Sequence, residues 1–337
     1  MECRSDFSLK ALNTFHVEGV ARRYVRFDEA KELPEFLGRQ FLEGERFLVL
    51  GGGSNLLFVD DFDGIVLHPL LKGVEMLGAN AEHVRVRAMA GENWDDLVAH
   101  AVAAGWGGIE NLSLIPGSVG ASAVQNIGAY GVEAKDVIDS VEAIDMDRLE
   151  KITFSAEACD FGYRTSRFKG RRSGRFIITA VVLRLCRQPR FVLDYPGVRE
   201  QVEALGPVNL ETLRQAIVAI RRAKLPDPAN LGNAGSFFKN PVVEPETLLR
   251  LQACFAEIPH YPQPNGRFKL SAGWMIDRCG WKGRRIGRAG VHDRQALVLV
   301  NLGGATGREI LDLSERVRLS VQETFGVDLE REVLVVP

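Results

Sequence analysis

The feature that most constrains this chain is the run GGGSN at residues 51–55, which follows a short apolar stretch, RFLVL at 46–50. A glycine-rich turn after a buried strand lets backbone N–H groups approach phosphate oxygens with no Cβ in the way. In a dinucleotide-binding Rossmann unit such a turn opens directly into a helix. Here the following residues, LLFVDDFDGIVLH, read as further extended chain. The Rossmann motif is therefore excluded. Taken alone, a glycine run is more often a tight turn than a ligand loop.

The surrounding pattern mixes strands and helices. Arg23–Phe27 is strand-like, Glu29–Phe41 is an amphipathic helix and Arg46–Leu50 is a buried strand. From about residue 71 the pattern changes. His83–Met89 alternates as a strand, and Asn93–Ala104 reads as a helix with Trp94, Leu97, Val98 and Ala101 on one face. Val137–Asp145, Arg148–Phe154 and Phe176–Cys186 read as strands of a second sheet. Glu211–Lys224 is a helix with Leu213, Ile217 and Ile220 on one face, stopped by the two prolines of LPDP. Beyond it come helices at Pro245–Ala256, Ala272–Cys279 and Gly307–Phe325, with an apolar strand at Ala296–Asn301. Pattern shifts near 70 and 224 mark the expected boundaries, and the fold class is α+β.

Two more small-residue loops carry chemical interest. Pro116-Gly117-Ser118-Val119-Gly120-Ala121, leading to Gln125-Asn126, reads either as a short helix whose N-terminus suits a pyrophosphate or as a packed turn. Two phosphate-suited loops within so short a stretch fit a cofactor with two phosphates, such as FAD. The third loop, Gly232 to Pro241, sets Ser236 at the tip of a glycine turn. No G-x-S-x-G elbow or triad supports a nucleophile there. A proton donor needs only position, and turn formation is the ordinary role of such a serine.

Charge narrows the partners. Lys and Arg number 42 against 44 Asp and Glu, a net charge of −2, without the basic excess of a nucleic-acid or membrane-surface protein. The stretch 164–175 holds six Lys or Arg in twelve residues. With no aromatic stacking platform beside it, it reads as a mobile charged loop. The five cysteines are scattered without a CxxC, and the histidines form no HExxH, so neither a disulfide framework nor a metal site is expected. Charges interrupt the first fifteen residues, and no apolar run approaches the ~18 residues of a membrane helix, so a cytoplasmic location is expected. The absence of GxxxxGK[ST] removes a P-loop kinase.

Nine stretches, in order and nearly end to end, carry a family resemblance. They are NTF at 13–15, GGGSNLLF at 51–58, IPGSVGASAVQNIGAYGVE at 115–133, FGYRTSRFK at 161–169 and KLPDP at 224–228. GNAGSFFKNPVV at 232–243, KLSAGWMIDRCGWKG at 269–283, VHDRQALVLVN at 291–301 and LEREV at 329–333 complete the set. Together they resemble the UDP-N-acetylenolpyruvoylglucosamine reductase (MurB) family, in the subtype with an extra tyrosine loop. The resemblance implies a two-part FAD-binding fold of the vanillyl-alcohol-oxidase type and a C-terminal α/β substrate-binding domain. On it, 1–70 with 331–337 and 71–223 form the two FAD-binding parts, and 224–330 binds substrate.

The resemblance also implies the chemistry: NADPH reduces non-covalently bound FAD and leaves, and a UDP-sugar enolpyruvyl ether then enters the same cleft of a monomer. Hydride reaching the terminal methylene drives charge onto the substrate carboxylate as an enolate. Arg164 matches the arginine that meets this carboxylate. Glu332 matches a glutamate that, protonated in a buried site, donates a hydrogen bond to the enolate. Ser236 matches the proton donor to the α-carbon. Tyr195, Lys224, Asn240 and Gln295 fall at positions that hold the diphosphate and uridine. Gly51, Gly52, Gly53, Ser54, Asn55, Pro116, Gly117, Ser118, Gly120, Ala121, Gln125, Asn126 and Gly128 fall at cofactor-binding positions. Arg331 departs from the pattern, standing where many members carry proline. Two rival readings are another FAD oxidoreductase of this fold and a non-catalytic sugar-nucleotide binder. Neither requires Arg164, Ser236 and Glu332 together.

Overall fold

The strand Phe176–Cys186, FIITAVVLRLC, is buried along most of its length, as a strand covered on both faces must be. The computed structural model that contains it describes residues 1–40, 45–170 and 174–337. The strand is the centre of an antiparallel sheet ordered Glu150–Ser155, Ile138–Asp145, Phe176–Cys186, His83–Met89, Val74–Ala79. On one side, Val181, Leu183 and Leu185 pack with Trp94, Leu97 and Val98 of the helix Trp94–Ala103 and with Val119 and Ala123 of the helix Val119–Gln125. On the other, Ile177 and Ile144 join Leu33, Phe36 and Leu37 of the helix Glu32–Gln40.

That helix also covers a four-stranded sheet ordered Glu2–Ser8, Val20–Phe27, Phe62–Pro69, Phe47–Val49. The last pair is parallel, with Phe47 opposite Ile65 and Val49 opposite Leu67. The helix starts later than its periodicity suggests because the Glu32 carboxylate accepts the N–H groups of Asp28 and Glu29, both at 3.1 Å, and closes a turn there. Phe41, at the expected far end, lies outside the described residues. The strand Glu2–Ser8 has no hydrophobic alternation to reveal it, being a largely exposed edge.

Two compact units divide the chain. The first holds Met1–Phe7, Ala21–Gly53 and Asp63–Ala223, and the second holds Ser8–Val20, Ser54–Phe62 and Lys224–Pro337. In the first unit the segment read as a tyrosine loop continues into a helix, Val198–Leu205, which packs on Leu210–Lys224 through Val198, Val202, Leu213 and Ile217. The charge run is not a freely solvated loop over its first half: Arg164, Arg167 and Lys169 are half-buried. Residues 171–173 of that run lie outside the described residues.

In the second unit Leu334–Val336 pairs in parallel with Leu56–Phe58. A second sheet is ordered Gly232–Ser236, Val298–Asn301, Ala289–Val291, Arg285–Ile286. The helix Gly307–Phe325 is started by a capping box in which Thr306 and Glu309 exchange hydrogen bonds. Its first residue has to be glycine, because a Cβ there would overlap the Phe58 carbonyl. Gly232–Ser236 corrects the reading of this stretch as a loop. Its small residues carry no strand signal, and the partner Val298–Asn301 supplies the pairing. Among the described residues no helix is long and apolar enough to cross a membrane.

Candidate active site

In the first unit the two glycine loops lie against each other. Leu50 donates its N–H to the Leu67 carbonyl at 2.8 Å and so carries the parallel ladder up to Gly51. A Cβ on Gly51 would stand 2.9 Å from Ser118 Oγ, and one on Gly52 would stand 2.8 Å from Gly117 Cα. Any side chain at either position pushes the loops apart, and Gly53 and Gly117 hold positive φ, at 63° and 128°. Residues far apart in sequence thus form one small-residue surface.

The helix beginning at Val119 has its N-terminal donors engaged within the chain. Val119 and Gly120 donate their N–H groups to the carbonyls of Glu92 and Ala90, each at 2.9 Å. Ala121 donates to Ser118 Oγ at 3.4 Å and Ser122 to the Ser118 carbonyl at 3.1 Å. The protein itself thereby satisfies the donors of this terminus. A Cβ on Gly120 would meet Ala90 at 2.8 Å, so that glycine serves the same packing.

Gln125, Asn126 and Gly128 gather around Arg164. The fully buried Asn126 side chain donates to the Gly162 carbonyl at 2.9 Å and to Glu133 at 3.1 Å, and accepts from Lys135 N at 3.0 Å. Arg164 donates to the Gly128 carbonyl at 2.5 Å and to the Asn126 carbonyl at 3.5 Å. Its own backbone is left-handed, with φ 56°, an unusual conformation for a non-glycine residue. Lys169 secures it, with Nζ 2.6 Å from Gln125 Oε1 and 3.1 Å from the Arg164 carbonyl. Tyr195 is half-exposed and meets Tyr130 edge-on at 5.1 Å. Burial raises the Tyr130 hydroxyl above the ordinary tyrosine range, and that hydroxyl is hydrogen-bonded to Arg221. Lys169 and Tyr130 both stand inside quoted motifs, yet residue type alone gave them no role.

In the second unit backbone hydrogen bonds through Phe237, together with one to the Gln295 side chain, bring Ser236, Gln295 and Glu332 together. Phe237, fully buried, donates its N–H to the Leu297 carbonyl and accepts from Glu332 N, both at 2.8 Å. Leu297 N in turn donates to Gln295 Oε1 at 3.3 Å. Ser236 ends a bulged strand rather than sitting at a turn tip. The register slips between Asn233 and Ser236, Gly235 holds φ 69°, and Asn233 Oδ1 accepts Gly235 N at 2.9 Å. Ser236 and Glu332 are both half-buried. Asn55 donates to the Glu332 carbonyl at 3.1 Å and accepts Leu334 N at 3.0 Å, so it fastens the C-terminal segment. Arg331, at the position where proline is common, pairs with Glu315 on the helix Gly307–Phe325.

Asn240 joins this group through the helix Ala272–Arg278. Its Oδ1 accepts Ala272 N at 3.0 Å, and a Cβ on the next residue, Gly273, would stand 3.1 Å from Gln295 Oε1. Lys224 stands apart from these bonds, exposed at the last position of its helix.

Comparison with known proteins places this geometry. A family model described as UDP-N-acetylenolpyruvoylglucosamine reductase, C-terminal domain, matches residues 227–336, and one described as FAD binding domain matches residues 21–148. A UDP-N-acetylenolpyruvoylglucosamine reductase of Chromobacterium violaceum is 49% identical over 339 residues, spanning 99% of each chain. The chain belongs to the UDP-N-acetylenolpyruvoylglucosamine reductase family. A Bacteroides fragilis protein of the same description is 45% identical over 327 residues, covering 97% of this chain and 98% of that one. The crystal structure of UDP-N-acetylenolpyruvylglucosamine reductase (MurB) from Thermus caldophilus matches with a TM-score of 0.68 at 27% identity, covering 100% of this chain and 98% of the other.

The expected FAD-binding fold followed by a C-terminal domain is therefore met. Both glycine loops fall within the FAD-binding match, and Ser236, Asn240, Gln295 and Glu332 fall within the reductase C-terminal match. Arg164 and Tyr195 lie between the two matched stretches, and Lys224 lies just ahead of the second.

Proposed function

We propose that this chain reduces the enolpyruvyl ether of UDP-N-acetylglucosamine to UDP-N-acetylmuramate with NADPH as electron donor, a step in peptidoglycan precursor synthesis. The observation that carries the proposal is the ladder holding Ser236, Gln295 and Glu332 together in a chain that also has an FAD-binding domain.

The glycine loops suit FAD because the absence of side chains at Gly51 and Gly52 lets them pack closely against Gly117 and Ser118, which gathers the peptide groups of both loops for one diphosphate. Because the helix N–H groups are engaged elsewhere, the peptide groups of Gly51 to Gly53, Gly117 and Ser118 are the natural diphosphate contacts. Bound FAD supplies hydride transfer from the nicotinamide to the terminal methylene carbon of the substrate. Arg164 presents a planar fork that suits the substrate carboxylate, and its bonds to the Asn126 and Gly128 carbonyls orient it beforehand.

Charge moves onto that carboxylate as the methylene is reduced, and donors fixed in advance favour the charged state over the ground state. Glu332 donates a hydrogen bond to the enolate. Ser236 gives its hydroxyl proton to the α-carbon and regains one from solvent, which completes addition of hydride and proton across the double bond. Tyr195, Lys224, Asn240 and Gln295 hold the diphosphate and uridine. With Asn240 Oδ1 committed to Ala272, its amide N–H₂ is the end that meets the ligand.

On this reading, residues 1–70 with 331–337 and 71–223 serve FAD, while 224–330 serves the sugar nucleotide. NADPH and the sugar nucleotide occupy one cleft in turn, and the enzyme works as a cytoplasmic monomer. An anaerobic visible spectrum tests the reading. NADPH should bleach the yellow protein, and UDP-N-acetylglucosamine enolpyruvate should restore the colour. Bleaching without restoration would point to another acceptor, and a chain that stays colourless after incubation with FAD would overturn the proposal.

A further inference from the structure

Behind the first glycine loop runs a buried polar chain that belongs to none of the motifs. Tyr24 on the strand Val20–Phe27 and His68 on the adjacent strand Phe62–Pro69 are only 5% and 6% exposed. The Tyr24 hydroxyl lies 2.8 Å from His68 Nδ1, and the same imidazole is hydrogen-bonded to the backbone of Gly51. Phe7 stacks on Tyr24 with centroids 4.2 Å apart and planes 15° apart, and His68 meets the Tyr24 ring edge-on at 5.8 Å. Both aromatic contacts restrict the tyrosine's position.

The roles of donor and acceptor follow from the chemistry. Burial lowers the His68 pKa to about 4, so the ring is neutral near pH 7, with one nitrogen donating and one accepting. Its bond to Gly51 is of the kind that favours the protonated ring, so the ring donates and the Gly51 carbonyl accepts. Nδ1 then accepts from the Tyr24 hydroxyl. The bond from Leu50 N–H to the Leu67 carbonyl, just beyond the Val49–Leu67 pair, brings Gly51 and His68 close to one another at the end of the parallel ladder.

A peptide group is a rigid plane in which C=O and the following N–H point in opposite directions. Anchoring the Gly51 carbonyl to His68 therefore turns the Gly52 N–H to the other side of the loop. Glycine offers no side chain to resist rotation of that plane, so the orientation has to come from such an anchor.

We propose that Tyr24 and His68 are positioning residues for the cofactor: together they hold the Gly51–Gly52 peptide with its N–H presented to the FAD diphosphate. The inference rests on the reading of these loops as the FAD site. It is tested by titrating FAD into the cofactor-free full chain and following quenching of flavin fluorescence, for the wild type, His68→Leu, His68→Gln and Tyr24→Phe.

His68→Leu should weaken FAD binding about tenfold, the scale of one lost hydrogen bond. Tyr24→Phe should weaken it about threefold. His68→Gln keeps an N–H donor and should recover most of the affinity. Tyr24→Phe removes a single oxygen and decides the matter should His68→Leu fail to fold. Wild-type affinity in both His68→Leu and Tyr24→Phe would overturn the inference, as would His68→Gln binding no better than His68→Leu. A wild-type chain that takes no FAD would overturn the reading of the loops as well.

Discussion

The two units hold their candidate functional residues by opposite means. In the first, Gly51 and Gly52 work by what they lack, letting one loop approach Gly117 and Ser118 closely enough to exclude any Cβ. In the second, Ser236 and Glu332 work by what they carry, at the two sides of a backbone ladder through Phe237. The first arrangement is broken by adding atoms, and the second by removing them. A substitution in one region should therefore leave the other region's half of the reaction intact.

Of the changes that leave Ser236 in place, Glu332→Ala should have the largest effect. The ladder bond to Phe237 uses the Glu332 backbone and survives the change. Turnover of the enolpyruvyl substrate should fall about 10²–10³-fold, the range for losing one donor to a developing oxyanion. Reduction of bound flavin by NADPH, followed by stopped flow, should keep its rate, and slowing of both steps would merge the two regions.

Acid should weaken the first unit through His68. Its pKa is about 4 in the folded chain against an ordinary histidine value of 6.5, so between these limits the unfolded state binds more protons. The stability held above pH 6.5 is thus lost as pH falls toward 4, by about 3 kcal/mol over the whole window. Urea unfolding of the cofactor-free chain at several pH values should show this loss, and His68→Gln should flatten it. Equal slopes for the two proteins would contradict the buried neutral ring.

Gly52→Ala sharpens the comparison from the side of added atoms. Its Cβ would stand 2.8 Å from Gly117 Cα, and overpacking of this kind costs about 1–3 kcal/mol. FAD affinity should fall by up to about a hundredfold. Gly78→Ala, which meets nothing within 4 Å, serves as the control and should bind FAD normally. The smallest effect is expected for Lys169→Met, which removes the bonds to Gln125 Oε1 and the Arg164 carbonyl. The KM for the sugar nucleotide should rise about tenfold while flavin reduction by NADPH is unchanged. An unaltered KM would remove Lys169 from the support of Arg164.

Much of this was legible in the sequence, for reasons that differ by element. The central strand Phe176–Cys186 and the helix Gly307–Phe325 have the observed ends, because an unbroken apolar run and a T-x-x-E cap are local signals. GGGSN followed by extended chain excluded a Rossmann turn, and strands at Leu56–Phe58 and Phe62–Pro69 do follow it. Gly232–Ser236 was illegible as a strand because its pairing is supplied by Val298–Asn301. The engagement of Val119 and Gly120 by Glu92 and Ala90 is likewise tertiary, and no local signal reveals it. Tyr24 and His68 form no motif. Only the adjacency of their strands brings them together behind Gly51.

The most direct test of the division of labour is a single-turnover experiment on Ser236→Ala under anaerobic conditions. NADPH is first used to bleach the flavin, and the enolpyruvyl sugar nucleotide is then added. Bleaching is expected at the wild-type rate, with recovery of colour slowed about 10²–10⁴-fold, the range for loss of a general acid. Recovery at the wild-type rate would take the serine out of the reaction, and failure to bleach would show that the two regions do not work as separable parts.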